Sequence, residues 1–235
     1  MKMNSKLRGG FTLVELLVVI VIIAALAGLT APMVIRQRKK ADQTEAVNNA
    51  RQIGLALMDF ETEYTTFPDL ATGAAVATAT ETTAIATLDA NSRFRQMIRA
   101  GIVESESIFY AKSSFTKKPD GVFNTDQRAL APGEVGFSMI VRTGGAAFSA
   151  AGNPSRPIII APWSGTGETF DSDFFDGKAV VLKLDNSVTS LNIIKSTGNV
   201  INNGQPILGV GNESVWGAAG TGGVTPVFVH PLKKN

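Results

Sequence analysis

The strongest constraint on this chain is an uncharged, apolar run near its N-terminus. Residues 16–35 form 20 consecutive positions without a charged side chain. As an α-helix rising 1.5 Å per residue, this run would be about 30 Å long, which is the thickness of the hydrocarbon core of a bilayer. The segment ahead of it carries Lys2, Lys6 and Arg8 and no acid, and such a basic flank favours the cytosolic side. The run therefore predicts a membrane-spanning helix.

A secretory signal peptide would also combine a basic start with an apolar core. Ala25-Leu26-Ala27 could then serve as the small-residue cleavage site. Glu15 argues against this interpretation, because a carboxylate within an apolar span costs about 3 kcal/mol. A plain signal peptide gains nothing from that charge, so Glu15 requires a partner. Cleavage before Phe11, one helical turn away, would create a suitable ammonium group.

The run GFTLVE at residues 10–15, followed by LLVVI, resembles the N-terminal signature of type IV pilins and type II secretion pseudopilins. The resemblance implies that a membrane-embedded prepilin peptidase cleaves after Gly10 and that the new terminus at Phe11 is N-methylated. It also implies that Glu15 pairs with the terminal amine of a neighbouring subunit during filament assembly. Pro32 falls where this family often has a helix-breaking proline.

The helix is expected to continue as a stem over residues 36–64, which contain no proline. Its apolar residues recur at spacings of three and four and so form one stripe, typical of a face packed on a core: Ala50, Ile53, Leu57, Phe60 and Tyr64. Gly54 costs about 1 kcal/mol relative to alanine in a helix interior. Its presence there predicts that another part of the chain packs closely against it.

Four cations, Arg36, Arg38, Lys39 and Lys40, follow the apolar run. They roughly balance the basic leader, so the positive-inside rule does not decide the orientation. The family resemblance implies that the leader is cytosolic and the remainder is exported. Two roles stay open for these cations: contact with lipid head groups, or contact with acids on an adjacent subunit.

The rest of the chain predicts an α+β head. Residues 65–87, rich in alanine and threonine, are expected to form a loop with a short helix, and residues 89–103 a helix capped by Asp89 or Asn91. Strands are predicted at residues 135–141, 157–161, 179–184, 188–194 and 227–229, the third and fourth forming a hairpin. We therefore predict a pilin-like α+β fold, in which a long N-terminal transmembrane-plus-stem helix packs on an antiparallel β-sheet head.

The composition argues against several classes of function. Removing the three leader cations from the formal net charge of +2 leaves −1, so no nucleic-acid partner is expected. The chain has no cysteine and a single histidine, His230, which excludes disulfides and a His/Cys zinc cluster. Because His230 is followed by Pro231 near the chain end, it is predicted to lie in a tail rather than in a catalytic triad. We therefore predict no enzymatic activity.

One loop carries several carboxylates that could act together: Glu168, Asp171, Asp173 and Asp176. Calcium prefers six to eight oxygen ligands, and such a loop can supply several of them. Resemblance to major pseudopilins, which hold calcium in a head loop, favours this interpretation, although the spacing matches neither the EF-hand nor the pseudopilin loop. A solvated acidic loop is the alternative, so the cofactor prediction is none, or calcium at this loop.

The sequence thus predicts a structural subunit of a type II secretion pseudopilus-like filament. The expected parts are a leader (residues 1–10), a transmembrane segment (11–35), a helical stem (36–64) and an exported head (65–235). The resemblance implies an inner-membrane, single-pass protein with a periplasmic head. It also implies that its partners are further copies, other pseudopilins, prepilin peptidase, the assembly platform and membrane lipid. A type IV pilin for adhesion, motility or DNA uptake is the first alternative, and a membrane-anchored or secreted enzyme is the second.

Overall fold

A computed structural model describes residues 11–83, 85, 89–125, 128–202, 204–211, 214–217 and 224–234. The predicted leader, including Gly10, lies outside these residues. The chain divides into two compact units, Met1–Lys39 and Lys40–Asn235. The border between the two units falls inside the first helix.

Helix α1, Leu13–Tyr64, is 52 residues long, and it ends at the same residue as the predicted stem. The break predicted at Pro32 is wrong, because α1 continues through that residue. A proline removes one N–H, here the donor to the carbonyl of Gly28, while the hydrogen bonds before and after it can still form. The helix therefore continues through this single proline.

Within the second unit, one face of α1 packs into the core. The buried residues of α1 include most of the predicted stripe: Ala46, Ala50, Ile53, Gly54, Ala56, Leu57 and Phe60. Tyr64 is partly buried and stacks on Phe60, with ring centroids 4.6 Å apart. The stripe is therefore a core face.

Gly54 lies where α1 approaches the turn between two strands, as its position in the helix predicts. A Cβ at Gly54 would collide with the side chain of Asn186 and lie 3.1 Å from Leu182 Cδ1. Gly54→Ala should therefore lose about 1–3 kcal/mol to overpacking rather than gain the usual ~1 kcal/mol of an alanine. The measurement is the melting temperature of the full chain in detergent.

The matched control for Gly54→Ala is the double variant Gly54→Ala/Asn186→Gly. Asn186 has φ +62°, a conformation that glycine adopts freely, so the second change removes the clash without straining the turn. The double variant should recover the lost stability. A Gly54→Ala protein as stable as the wild type would contradict the packing argument.

Where the structure describes the chain, three short helical segments precede the sheet. Helix α2, Leu70–Ala79, lies in the predicted connector and begins with a capping box between Asp69 and Thr72. Helix α3, Ala90–Arg99, is capped by Asp89 as predicted, and Gly101 follows with φ +74°. A 3₁₀ turn occupies Glu106–Phe109.

The strands of the described residues form one seven-stranded antiparallel sheet with the order β6-β5-β4-β3-β2-β1-β7. Its strands are β1 Ser138–Arg142, β2 Pro157–Ala161, β3 Lys178–Lys183, β4 Val188–Ile194, β5 Asn199–Asn202, β6 Gln205–Pro206 and β7 Pro226–Val229. The five predicted strands and the β3–β4 hairpin are confirmed, and β7 is the edge strand expected. Two short strands, β5 and β6, were not predicted. The α+β, pilin-like architecture is confirmed.

The N-terminal helix and the candidate sites

The first turn of α1 is closed by a reciprocal pair of hydrogen bonds. The backbone N–H of Thr12 donates to Glu15 Oε2 at 2.8 Å, and the backbone N–H of Glu15 donates to Thr12 Oγ1 at 3.2 Å. The Thr12 hydroxyl also donates to Glu15 Oε2, at 2.8 Å. This is a capping box, which satisfies two N–H groups that a helix start would leave without partners. The T-x-x-E spacing signals such a box in sequence, but the prediction assigned Glu15 to pairing alone.

The cap leaves part of the Glu15 carboxylate available. All the hydrogen bonds that Glu15 accepts in the described chain end on Oε2, so Oε1 can accept from a group outside this helix. Phe11 precedes the helix and is 84% exposed. Glu15 and Phe11 therefore lie at one exposed helix end, whereas the other processing residue, Gly10, is outside the described residues.

The first unit presents an apolar helix surface that nothing in it covers. Every residue from position 11 to 38 is exposed. By length and composition, α1 can cross a membrane, and none of its most apolar window is buried. A surface of this size is not stable in water, so it requires lipid or the same helix from other copies.

The cations after the apolar run make no ion pair within the described part of the chain. Arg36, Arg38 and Lys40 are exposed and Lys39 is partly exposed. Both predicted roles, contact with lipid head groups and contact with acids of an adjacent subunit, remain available to them.

The four predicted calcium ligands lie in the loop before β3 and are not gathered around one point. Asp171 uses its carboxylate to accept the backbone N–H of Asp173 at 2.9 Å. Phe175 is buried and anchors this loop, whereas Glu168, Asp173 and Asp176 are exposed. The loop does not supply three ligand oxygens within 4.8 Å of one another. Calcium at these residues stays a prediction.

A different set of carboxyl groups does converge. Ligand oxygens of Glu106, Asp120 and Glu134 lie within 4.8 Å of one another, the one such group among the described residues. This cluster was not predicted, because its three residues are 14 positions apart along the chain and follow no motif.

These three carboxyl groups are already bound by the chain itself. Glu106 accepts the N–H of Leu130 at 2.6 Å and that of Gly121 at 3.0 Å. Glu134 accepts the N–H of Ala131 at 2.7 Å and lies 3.3 Å from Lys117 Nζ, while Asp120 lies 3.2 Å from Arg128 Nη2. The cluster therefore fixes the loops between the 3₁₀ turn and β1.

Burial raises the pKa of Glu106, and the negative charges of Glu134 and Asp120 raise it further, while its two backbone hydrogen bonds oppose the shift. Protonating Glu106 therefore costs less in the folded than in the unfolded chain. Glu106 therefore stabilises the fold below the pKa that it has in the unfolded chain. This contribution is lost as the pH rises towards the higher pKa of the folded chain. In acid this group therefore opposes, in part, the loss of stability from other carboxylates.

His230 is not in a tail, and that prediction is wrong. Its ring is partly buried and stacks on Trp163, with centroids 4.0 Å apart, and its Nδ1 lies 3.2 Å from Ser138 Oγ. Its carbonyl accepts the N–H of Ala90 at 3.0 Å, which ties the C-terminal segment to α3. The rings of Trp163 and Phe228 pack against His230 and hold it in place. Its closeness to the chain end does not predict these contacts.

Burial, with a smaller contribution from Lys233, lowers the pKa of His230 to about 4. The imidazole is therefore neutral at pH 7 and contributes as a packed ring with one polar contact. No carboxylate hydrogen bond to it is present within the described chain, so the arrangement is not a Ser-His-Asp triad.

Comparisons with known proteins identify a family motif near the N-terminus and two relatives that align with longer parts of the chain. Residues 5–31 match the family description "Prokaryotic N-terminal methylation motif". A "Type II secretion system core protein G" of Aeromonas hydrophila is 36% identical over 66 residues, covering 28% of this chain and 46% of that protein. A protein of the same name from Pectobacterium carotovorum subsp. carotovorum is 26% identical over 128 residues, covering 54% of this chain and 69% of that protein.

The chain thus spans about half the length of the Aeromonas relative. No solved structure matches the chain significantly. The family motif at residues 5–31 contains both Phe11 and Glu15.

Proposed function

We propose that this chain, which carries the prepilin-type N-terminal signature of type IV pilins and type II secretion pseudopilins, is cleaved by a prepilin peptidase and polymerised from the inner membrane into a pseudopilus-like filament. The resemblance seen at residues 10–20 is confirmed by the matching motif and by both relatives. This family consists of structural subunits rather than enzymes, in agreement with the predicted absence of catalysis. In this proposal, the chain is a pilin or pseudopilin subunit anchored in the inner membrane.

The observation that carries the proposal is an apolar, uncovered helix with one carboxylate at its start. Every residue of α1 up to position 38 is exposed, and Glu15 retains one oxygen free of hydrogen bonds within the described chain. In the membrane, lipid covers this surface, and in a filament the same segments of neighbouring copies would cover it. Assembly thus exchanges lipid for helix contacts, and the pairing of Glu15 with the ammonium of a neighbour's Phe11 sets the register.

The same mechanism implies where the parts of the chain lie. The leader would remain cytosolic until it is cut, and the head of residues 65–235 would face the periplasm. The partners would be further copies, other pseudopilins and the inner-membrane assembly platform. A surface type IV pilin has the same type of N-terminus, but both relatives named above belong to type II secretion, which favours the pseudopilus.

Cleavage between Gly10 and Phe11 is the direct test. N-terminal mass analysis of the mature protein should find methylated Phe11, and Gly10→Glu should leave uncut precursor, because the peptidase needs close access to the backbone before the cleaved bond. Gly28→Ala in the apolar run, where an added Cβ contacts nothing within 4 Å, serves as the matched control and should be processed normally. A mature terminus at Gly28 would instead support an ordinary signal peptide and refute the proposal.

A further inference from the structure

Two grooves flank the part of α1 that belongs to the second unit. The first, which we call the acidic groove, has a volume of about 340 Å³ and lies between α1 and the segment leading into the 3₁₀ turn. Asp59 and Glu104 are its charged residues, and it has no cation in its lining. Leu55, 56% exposed, stands in the groove as an uncovered apolar side chain.

The second, which we call the basic groove, has a volume of about 370 Å³ and lies between α1 and the start of β3. Its lining contributes three cations, Lys40, Arg51 and Lys178, against a single acid, Asp176. The two grooves are thus similar in size and opposite in charge.

Four charged side chains of the two grooves have no partner among the described residues. The side chains of Asp59 and Glu104 in the acidic groove make no hydrogen bond or ion pair there. The same holds, over the same residues, for the side chains of Arg51 and Lys178 in the basic groove. These side chains are therefore free to pair with an external surface.

The positions of the grooves rule out a contact between the two grooves of one molecule. Because 3.6 residues complete a helical turn, Lys40 and Arg51 project on one side of the exposed strip of α1, and Gln52 and Asp59 on the other. The helix itself lies between them. Along its axis the groove centres are about ten residues apart, which at 1.5 Å per residue is about 15 Å.

We infer that the basic groove of one copy docks against the acidic groove of the next copy, so that the stem and head of this chain together carry a built-in, head-to-tail contact. The inference rests on the proposed filament function and adds its lateral contact. A contact between two different surfaces of the same chain is heterologous, and repeating it with an axial offset generates an open helical array rather than a closed dimer. The charge complementarity selects a second copy as the occupant, since each molecule supplies both halves.

The ion pairs of this contact are expected to contribute little affinity. Ion pairs at an exposed rim contribute modestly and are screened by salt over about 8–10 Å. Complementary charges act mainly on orientation and register, while like charges placed opposite each other are strongly disfavoured. The docking therefore specifies the stagger of the heads while the apolar helices supply the bulk of the association.

Charge reversal tests the contact in the full chain expressed as the only copy. Arg51→Glu and Glu104→Lys, each alone, should lower the filament yield at least about tenfold, which corresponds to 1.4 kcal/mol. The double variant Arg51→Glu/Glu104→Lys restores opposite charges and should recover most of the yield. Lys195→Glu makes the same charge change as Arg51→Glu at an exposed turn residue that lines neither groove, and it should leave the yield unchanged.

Crosslinking gives a second readout that does not depend on yield. The chain has no cysteine, so Arg51→Cys/Glu104→Cys in pelleted filaments should form a ladder of disulfide-linked multimers under oxidation. Either single variant, and the pair Arg51→Cys/Ser114→Cys with an exposed control position, should form no ladder.

The outcomes separate this contact from the filament proposal. Filaments that pellet normally without a ladder, together with unchanged yield in the reversal variants, would overturn the docking and leave the filament function intact. A wild-type chain that never pellets and retains its leader would overturn the proposed function and the docking with it.

Discussion

Replacing Glu15 with alanine is expected to leave membrane insertion, cleavage and folding of the head intact and to reduce the filament fraction severely. A carboxylate in an apolar environment is costly without a partner. In an assembling filament, the ammonium of a neighbour's Phe11 can approach Glu15, and a low dielectric strengthens that attraction. Only one axial register brings the two charges together, so losing the charge removes the register signal.

The capping box adds a complication that two further variants resolve. Glu15→Ala removes the charge and also the acceptor for the Thr12 N–H. Glu15→Gln keeps an acceptor at the capping position, since glutamine serves there as glutamate does, but it removes the charge. Thr12→Ala removes the hydroxyl partner and keeps the charge.

The pairing role predicts a specific order of filament yields. Each variant is expressed as the only copy, and the sheared or secreted filament fraction is compared with processed protein in the membrane. Glu15→Ala and Glu15→Gln should both accumulate as processed monomer, whereas Thr12→Ala should assemble close to the wild-type level. Normal assembly of Glu15→Gln would refute the pairing. If Thr12→Ala assembled as poorly as Glu15→Ala, the defect would be due to loss of the helix cap instead.

The sequence predicted correctly those features of the fold that depend on residues close together in the chain. The length of α1 follows from an apolar run, an apolar stripe and the absence of any other proline, and Gly54 correctly indicated a close contact. The β3–β4 hairpin has two apolar strands separated by the turn at Asn186, so its pairing is decided within a few residues. Strands β5 and β6 have four and two residues, too short to show an alternation that differs from a loop.

Features set by tertiary contacts were not predictable in this way. The break at Pro32 was predicted from the residue type alone, but a long helix can tolerate one missing N–H. His230 is placed by a ring contact with Trp163, and Glu106 by backbone donors of a distant loop. Both contacts join residues that are far apart in the sequence and follow no motif. They can therefore be recognised only in the folded chain. The same applies to Arg93, which is a polar residue in the middle of a predicted helix.

Arg93→Met is expected to destabilise the head strongly. Arg93 is 1% exposed, and its guanidinium donates to the carbonyl of Pro68 at 2.7 Å and to that of Gly145 at 2.6 Å. It thereby joins α3 to the start of α2 and to the turn after β1. Burial lowers the pKa of Arg93, an effect opposed by Asp69 and Asp89, and the group remains charged because an arginine pKa is so high.

Methionine fills a similar volume but leaves two carbonyls without their donor and two carboxylates without their nearby charge. Breaking such a buried interaction costs about 3–5 kcal/mol. At about 2–4 °C per kcal/mol for a chain of this size, the melting temperature should fall by roughly 10 °C. Arg93→Lys should recover little of this, since an ammonium lacks the planar fork that reaches both carbonyls.

Arg128→Met provides the matched control for Arg93→Met, because Arg128 is exposed and its pairing with Asp120, at 3.2 Å, lies at the surface. Exposed ion pairs contribute little to stability, so the melting temperature of this variant should stay within about 2 °C of the wild type. Thermal unfolding of the three full-length variants in detergent, followed by near-ultraviolet circular dichroism, compares them directly. If Arg93→Met melted no lower than Arg128→Met, the two buried hydrogen bonds of Arg93 would not be holding α3 against the sheet, and the head would owe its stability to apolar packing alone.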